Sequence, residues 1–227
     1  MILLFLATVV PWRGQSRMKR LMSNPVATSS DRLSLYGSTI VFQWLMLAIV
    51  AVRCLARSVG GDELGISLDD PWRIAWTSIA LTVFLCLNQV FGIRKIASVP
   101  PEKRPPLFAI TERIAPRSSK ETIVFAALAC TAGISEEFLY RGFVFTAFFR
   151  MLVNYMSPTA VAAILSSGWF ALAHLYQGRR GIFTTFVVGI IFVTVRVWTG
   201  SLIPAIIAHI AIDVVAGICV AKFLPRA

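Results

Sequence analysis

Long apolar runs bounded by charged residues constrain the fold of this chain most strongly. A helix needs about 20 mostly apolar residues to cross a hydrocarbon core of about 30 Å. Six runs qualify: Leu33–Val52, Ile74–Ile93, Thr122–Phe149, Met151–Gly178 (spanning from about Pro158), Gly181–Val195 and Ser201–Ala221. They predict an all-α fold, a polytopic integral membrane helix bundle with about six transmembrane helices.

The composition excludes an ordinary soluble domain. The 227 residues are 57% hydrophobic and 15% charged, against about 45–50% and about 25% in soluble proteins. The net charge of +11 does not indicate a nucleic-acid partner, because the basic residues lie mostly between apolar runs, where they act as topology signals. The four cysteines are far apart and form no CxxC pair, so the sequence predicts neither a disulfide framework nor a thiolate zinc site.

The basic residues are distributed unevenly over the two sides that six alternating spans define. Sixteen of the 22 Lys and Arg residues fall on the side of the termini and the 94–121 loop. The positive-inside rule then predicts cytoplasmic N- and C-termini, and the compact plan with short loops favours a bacterial inner membrane. We expect a cytoplasmic basic segment at 1–32, two spans and a basic loop at 33–121, and a core of about four helices at 122–227. The apolar stretch Met1–Val10 is too short to span, and no function is assigned to it.

The titratable residues of the last four spans are few and lie inside them. After Thr122 the acidic residues are Glu136, Glu137 and Asp213, and the two histidines of the chain are His174 and His209. Ionisable residues inside a membrane are costly, face the bundle interior by default, and mark a functional site. We therefore expect these five side chains to converge.

The spacing of these residues adds geometry. Glu137 and Arg141, Phe170 and His174, and His209 and Asp213 each lie four residues apart, on one face of a helix. Glu136 points about 100° around the helix from Glu137. We expect Glu137 to pair with Arg141 while Glu136 faces a cavity.

These groups suit the hydrolysis of an amide bond, by either of two routes. Glu136 with His174 can activate a water, and His209 with Asp213 can stabilise the developing oxyanion. The same Glu and His residues, with Asp213, are also acceptable ligands for zinc, which would activate a bound water itself. No HExxH motif favours the metal route.

Three short motifs carry a resemblance. The segment from Glu136 to Arg141 resembles the EExxxR motif of the CAAX-protease and bacteriocin-processing (CPBP) family of intramembrane proteases, which is related to the CAAX prenyl endopeptidases. Phe170 to His174 resembles its FxxxH motif, and His209 to Asp213 its HxxxN or HxxxD motif. The resemblance implies that 122–227 is a catalytic core, that Glu136, His174, His209 and Asp213 are catalytic, and that Glu137, Arg141 and Phe170 bind substrate or support the site.

The resemblance also implies an endopeptidase that acts near the membrane, on a CAAX-type substrate or on a bacteriocin or other peptide. It favours a glutamate mechanism without a cofactor, with zinc as the alternative. The expected partners are a peptide or membrane-protein substrate and the lipid bilayer. One departure concerns Asp213: an asparagine there can donate a hydrogen bond, whereas an ionised aspartate only accepts. Asp213 must then be protonated, act through a water, orient His209 or bind metal.

Two other classes of function stay open. Buried Glu, His and Asp residues can form a proton or ion relay in a small transporter, which predicts polar residues along the whole membrane path. A family member without activity can serve as a membrane scaffold or a bacteriocin immunity protein. Measured along straight helices, Glu136 lies about 22 Å but His174 only about 8 Å from the cytoplasmic ends of their spans, so their convergence requires the long 122–149 segment to tilt or to project into the cytoplasm.

Overall fold

A computed structural model describes residues 1–23, 27–104 and 106–223 of the chain. In these ranges the protein is helical and contains no strand. The α-helices are α1 (Ile2–Ser23), α2 (Ser29–Leu55), α3 (Pro71–Ala97), α4 (Pro106–Ile114), α5 (Ser119–Glu136), α6 (Phe145–Leu152), α7 (Pro158–Ala173), α8 (Gly178–Thr199) and α9 (Ile203–Phe223). A π-helix, Glu137–Val144, joins α5 to α6, and 3-10 turns occupy Pro101–Lys103 and Leu175–Gln177.

The six predicted spans each correspond to a helical segment. Five are long and apolar enough to cross a membrane: Ser29–Leu55, Pro71–Ala97, Ser119–Leu152, Leu175–Thr199 and Ile203–Phe223. The sixth, Pro158–Ala173, is a shorter apolar helix. Large apolar side chains such as Leu45, Ile49 and Phe84 are exposed on the outside of the bundle, as expected for a surface that faces lipid. The predicted fold class, a polytopic helical membrane bundle, is confirmed.

Two glycines allow α9 to lie close against α5. A Cβ at Gly133 would come within 2.5 Å of Ile210 Cγ1, and one at Gly217 within 2.4 Å of Phe125 Cε1. Such contacts are too short for a larger residue, so glycine permits the close approach of the two helices. Gly133 therefore sets the spacing between α5 and α9, and α5 stays a continuous helix through it.

A buried ion pair joins α2 to α5 near their first turns. The Nε atom of Arg32 lies 2.7 Å from Oε2 of Glu121, and both side chains are almost fully buried. Arg32 also donates to the carbonyl of Ala27 at 2.8 Å. Both helices begin at capped residues, Thr28 and Ser118, which satisfies amide groups that a helix start leaves unpaired.

Helix α1 is part of the bundle core. Leu6 is fully buried, and the indole of Trp169 in α7 donates to the carbonyl of Leu3 at 3.0 Å. Met1 lines one cavity together with Arg57 and Arg150, so α1 starts at the end of the bundle that holds the 56–70 loop. The sequence predicted only that Met1–Val10 is too short to span the membrane, and it assigned no function to this stretch.

The 56–70 loop closes that end of the bundle. Glu63 pairs with Arg150 of α6 at 2.5 Å, and the hydrogen bonds from Arg150 hold the pKa of Glu63 below its usual range. Leu64 is buried, and the carbonyl of Gly65 accepts a hydrogen bond from the amide of Leu202 at 2.8 Å. The loop therefore ties α2 to both α6 and the start of α9.

Candidate active site

The first motif lies where α5 changes into the π-helix. The π-helix covers the eight residues Glu137–Val144. Its hydrogen bonds close a wider ring than those of an α-helix, and π-helical turns occur often at functional sites. The Glu137 side chain is fully buried. The Glu136 side chain is 17% exposed and lines two cavities. The two adjacent carboxylates thus have different surroundings, as the sequence predicted.

Glu136 is held by a residue from α2. The side-chain amide of Gln43 donates to Oε1 of Glu136 at 2.7 Å. The other oxygen, Oε2, lies 3.9 Å from Nε2 of His174 and 3.9 Å from Nε2 of His209. These two distances are too long for direct hydrogen bonds. One carboxylate oxygen is therefore fixed, and the other faces both histidines.

His174 follows the last residue of α7 and is oriented by its own helix. Its Nδ1 donates to the carbonyl of Phe170 at 2.9 Å, and the two rings make an edge contact with centroids 4.7 Å apart. Because a carbonyl only accepts, Nδ1 carries the hydrogen and Nε2 is left to face Glu136. The FxxxH spacing thus sets the direction of the imidazole.

Glu136 and His174 meet despite their different distances from the ends of their spans, because the two helical segments differ in length. Helix α7 has 16 residues, or about 24 Å, so His174 ends a helix that does not reach the length of a full span. The segment Ser119–Leu152 has 34 residues and carries Glu136 in its middle. Depths measured along straight spans therefore did not show which residues meet in this part of the bundle.

A buried cluster of charged residues contacts His209 of the candidate site. Glu137 Oε1 lies 2.9 Å from Nη1 of Arg141 and 2.7 Å from Nδ1 of His209. The guanidinium of Arg141 also lies 4.0 Å from the centroid of the Phe170 ring and 5.2 Å from that of Phe192. The Glu137 and Arg141 side chains are 0% and 1% exposed, so in this conformation they offer no surface to a substrate. They connect all three motifs.

Asp213 lies beside His209 without pairing directly with it. Its Oδ2 is 3.8 Å from Nε2 of His209, and its side chain is 40% exposed. Nδ1 of His209 instead bonds Glu137. Nε2 of His209 therefore carries a hydrogen only in the imidazolium form, for which Glu137 and Asp213 supply negative charge.

Two cavities meet at Glu136 and His174. One, of about 400 Å³, also contains His209, Asp213 and polar residues of α8 such as Thr185. The other, of about 210 Å³, lies between α1, α2 and the site and is mostly apolar. Glu136 and His174 thus line both cavities, and His209 and Asp213 line the larger one.

The arrangement does not fit a ready zinc site. Among the described residues, no three His, Cys, Asp or Glu side chains are grouped so as to hold a metal ion. Neighbouring ligands of a tetrahedral zinc ion at about 2.0–2.2 Å lie about 3.4 Å apart, whereas Glu136 Oε2 is 3.9 Å from each histidine nitrogen. The side chains would have to move inward to bind zinc.

Sequence reasoning missed Gln43. It was read as one residue of the first apolar span, yet its amide holds the candidate base and its carbonyl oxygen is buried without a hydrogen-bond partner in the described structure. A single amide side chain in a long apolar run was the available signal. Its partner, 93 residues away, was not readable from the sequence.

A family model confirms the resemblance drawn from the motifs. Residues 118–215 match the model described as type II CAAX prenyl endopeptidase Rce1-like. This segment, rather less than half of the chain, is therefore similar to the Rce1-like family. It runs from the cap of α5 into α9 and contains all five acidic and histidine residues of the site. No curated protein and no solved structure matched the chain. The Rce1-like match supports an endopeptidase within the membrane.

Proposed function

We propose that the chain is an intramembrane endopeptidase that hydrolyses a peptide bond with a water activated by Glu136 and His174. One observation carries the proposal: Oε2 of Glu136 faces Nε2 of His174 and of His209, at 3.9 Å each, on the wall of a cavity. Separations of this size suit groups that act on one small molecule between them. The Rce1-like match supports the same class of reaction.

In the proposed reaction Glu136 is the general base. A water gives a proton to Oε2 of Glu136, and its oxygen forms a bond to the carbonyl carbon of the substrate. Nε2 of His174 accepts a hydrogen bond from the water's second hydrogen and so orients the attack. The carbonyl oxygen becomes an oxyanion. When the C–N bond breaks, the proton on Glu136 passes to the leaving nitrogen.

We assign the oxyanion to His209. With Nδ1 bonded to Glu137, the imidazolium directs its Nε2 hydrogen toward Glu136, where the oxyanion forms. Asp213, 3.8 Å from that nitrogen, is too far for a direct hydrogen bond and adds negative charge that favours the imidazolium form. An aspartate at this position is compatible with the chemistry, because His209 rather than residue 213 donates the hydrogen bond.

The proposed substrate is a peptide or membrane protein cleaved near the membrane, of the CAAX type or a bacteriocin-like peptide. We propose that the core at 122–227 supplies the catalytic groups, while 1–121 supplies α1, α2 and a wall of the cavity. A bacterial inner membrane with the 94–121 loop in the cytoplasm stays the proposed setting. A reporter fused after Gly61 that proves cytoplasmic would overturn this orientation.

The test is cleavage by the purified, detergent-solubilised protein of two substrate sets, a quenched prenyl-peptide and a library of membrane peptides. The proposal expects cleavage that survives a metal chelator. Loss with the chelator and recovery with zinc would instead support a metalloprotease built from the same residues. A folded protein that cleaves neither set contradicts the proposal and favours a scaffold or immunity protein.

A further inference from the structure

A cavity of about 950 Å³ lies at the end of the bundle that holds the 56–70 loop. Its wall combines apolar side chains, such as Leu3 of α1, with three arginines, Arg53, Arg57 and Arg150. It is larger than either cavity at the active site and, among the described residues, shares no lining residue with them. The proposed reaction therefore gives this cavity no role.

The three arginines give the cavity wall an excess of positive charge. Arg150 pairs with Glu63 through Nε and Nη2, at 2.7 and 2.5 Å, which leaves its Nη1 donors. In the part of the chain that the structure describes, no ion pair involves Arg53 or Arg57. A single carboxylate thus faces three cations, and guanidinium groups bind phosphate through paired hydrogen bonds.

The two unpaired arginines also repel each other. Arg53 lies in the last turn of α2, and the backbone keeps a helical conformation through Ala56. Arg57 follows four residues after Arg53, and like charges at this spacing destabilise a helix. An anion bound between the two guanidinium groups removes this repulsion.

The arginines lie where the hydrocarbon core of a membrane ends. Arg53 directly follows the apolar run Leu33–Val52, and Arg150 directly follows the run Thr122–Phe149. The polar headgroups of phospholipids lie at this level, just outside the hydrocarbon core. A lipid phosphate is therefore the anion that this cavity is placed to bind.

A row of exposed side chains on α2 leads from the cavity into the membrane. Leu45, Ile49, Arg53 and Arg57 follow one another at intervals of four residues, so each neighbours the next on the helix surface. Leu45 and Ile49 are 57% and 54% exposed. The row presents two apolar residues and then two cations, in the order of the acyl chain and the phosphate of a phospholipid.

We propose that Arg53 and Arg57 bind the phosphate of an anionic phospholipid, with one acyl chain along Ile49 and Leu45. The lipid belongs to the leaflet at the end of the bundle that holds the 56–70 loop. Arg150 offers its Nη1 group to the same headgroup. This site goes beyond the proposed endopeptidase and does not depend on it.

The test measures lipid binding to the purified, delipidated protein by native mass spectrometry. Dioleoyl phosphatidylglycerol is compared with dioleoyl phosphatidylcholine, which has the same acyl chains and no net charge. One basic residue near an anionic lipid is worth about fivefold in affinity. We therefore expect Arg53 and Arg57 together to favour phosphatidylglycerol by about 25-fold in Kd.

Variants of the arginines locate the site. In the double variant Arg53→Gln and Arg57→Gln the preference should fall below about threefold, whereas Lys at both positions should retain most of it. Arg73→Gln is the matched control, because Arg73 is 48% exposed at the start of α3, directly after the 56–70 loop, and does not line the cavity; it should keep the full preference. If the double Gln variant does not fold, Arg57→Gln alone should lower the preference by about fivefold.

Three outcomes would overturn the proposal. Equal affinity of the wild type for both lipids removes its basis, and a preference that survives the double Gln variant places the lipid elsewhere. Displacement of bound phosphatidylglycerol by glycerol phosphate would assign the arginines to a soluble phosphate instead of a lipid. None of these measurements uses peptide cleavage, so their result is separate from that of the proposed endopeptidase.

Discussion

Gln43 offers the sharpest prediction, because it reaches the site from outside the matched family segment. The replacement Gln43→Met keeps the length and approximate volume of the side chain and removes its amide. Oε1 of Glu136 then loses the donor at 2.7 Å. The carboxylate is free to rotate away from the two histidines, while the cavity wall keeps its shape.

The magnitude follows from the kind of hydrogen bond that is lost. A hydrogen bond to a charged group contributes about 1.5–3 kcal/mol, which corresponds to about 10- to 150-fold in rate. Because Glu136 acts in the chemical step, we expect kcat to fall by this factor and KM to change less than about threefold. Steady-state cleavage of the quenched peptide measures both.

Trp44 supplies the matched control. Its indole donates to Thr131 Oγ1 at 3.2 Å, so Trp44→Phe also removes one hydrogen bond between α2 and α5 but does not touch Glu136. We expect this variant to keep kcat within about threefold. If both variants lose kcat equally, Gln43 acts through helix packing, and an unchanged kcat in Gln43→Met would refute the positioning role altogether.

Three further predictions concern charges. Glu137→Gln leaves the buried guanidinium of Arg141 without its carboxylate. It should destabilise the protein by about 3–5 kcal/mol, measured by thermal unfolding in detergent. Adding Arg141→Met should restore part of the lost stability. Asp213→Asn should keep kcat within about threefold, because Glu137, 2.7 Å from Nδ1 of His209, still supplies negative charge to the imidazolium; an inactive but folded variant would show that the carboxylate of Asp213 itself is needed. Arg150 lowers the pKa of Glu63, so this pair stabilises the fold at pH above the ordinary glutamate pKa, and the stabilisation is lost as the pH falls through the lowered pKa. Glu63→Gln should therefore lower the free energy of unfolding by about 0.5 kcal/mol at pH 7 and by less in acid. An equal loss at both pH values would contradict this origin.

The main helices of the fold could be predicted because insertion into a membrane requires long apolar segments and makes buried charges costly. Apolar runs of span length predicted the helical segments, and intramembrane charges predicted which helices converge. The spacing of Glu137 and Arg141 predicted their pairing, which the structure shows at 2.9 Å. These inferences depend on local periodicity and on the cost of burying charge, both of which a single sequence carries.

Other parts depended on long-range packing. The π-helix after Glu136 has no simple periodic signal, and the short α7 that brings His174 to the right depth looked like part of a longer run. His209 contacts Glu137, which lies 72 residues earlier in the chain. The sequence instead predicted that His209 acts with Asp213, which lies 3.8 Å from it. The packing of α1 in the bundle was not predicted, because its apolar stretch is too short to span and its second half is basic, although Leu6, Met18 and Leu21 are buried.

Replacement of Glu136 by Gln tests the central claim most directly. Gln keeps the size of the side chain and its contact with Gln43 but cannot take a proton from water at neutral pH. The decisive measurement is the single-turnover cleavage rate of wild type and variant, with peptide binding and thermal unfolding measured on the same samples. The account predicts a rate at least about 10²-fold lower in the variant, with binding and folding unchanged. A folded variant that binds and cleaves the peptide at the wild-type rate would contradict it.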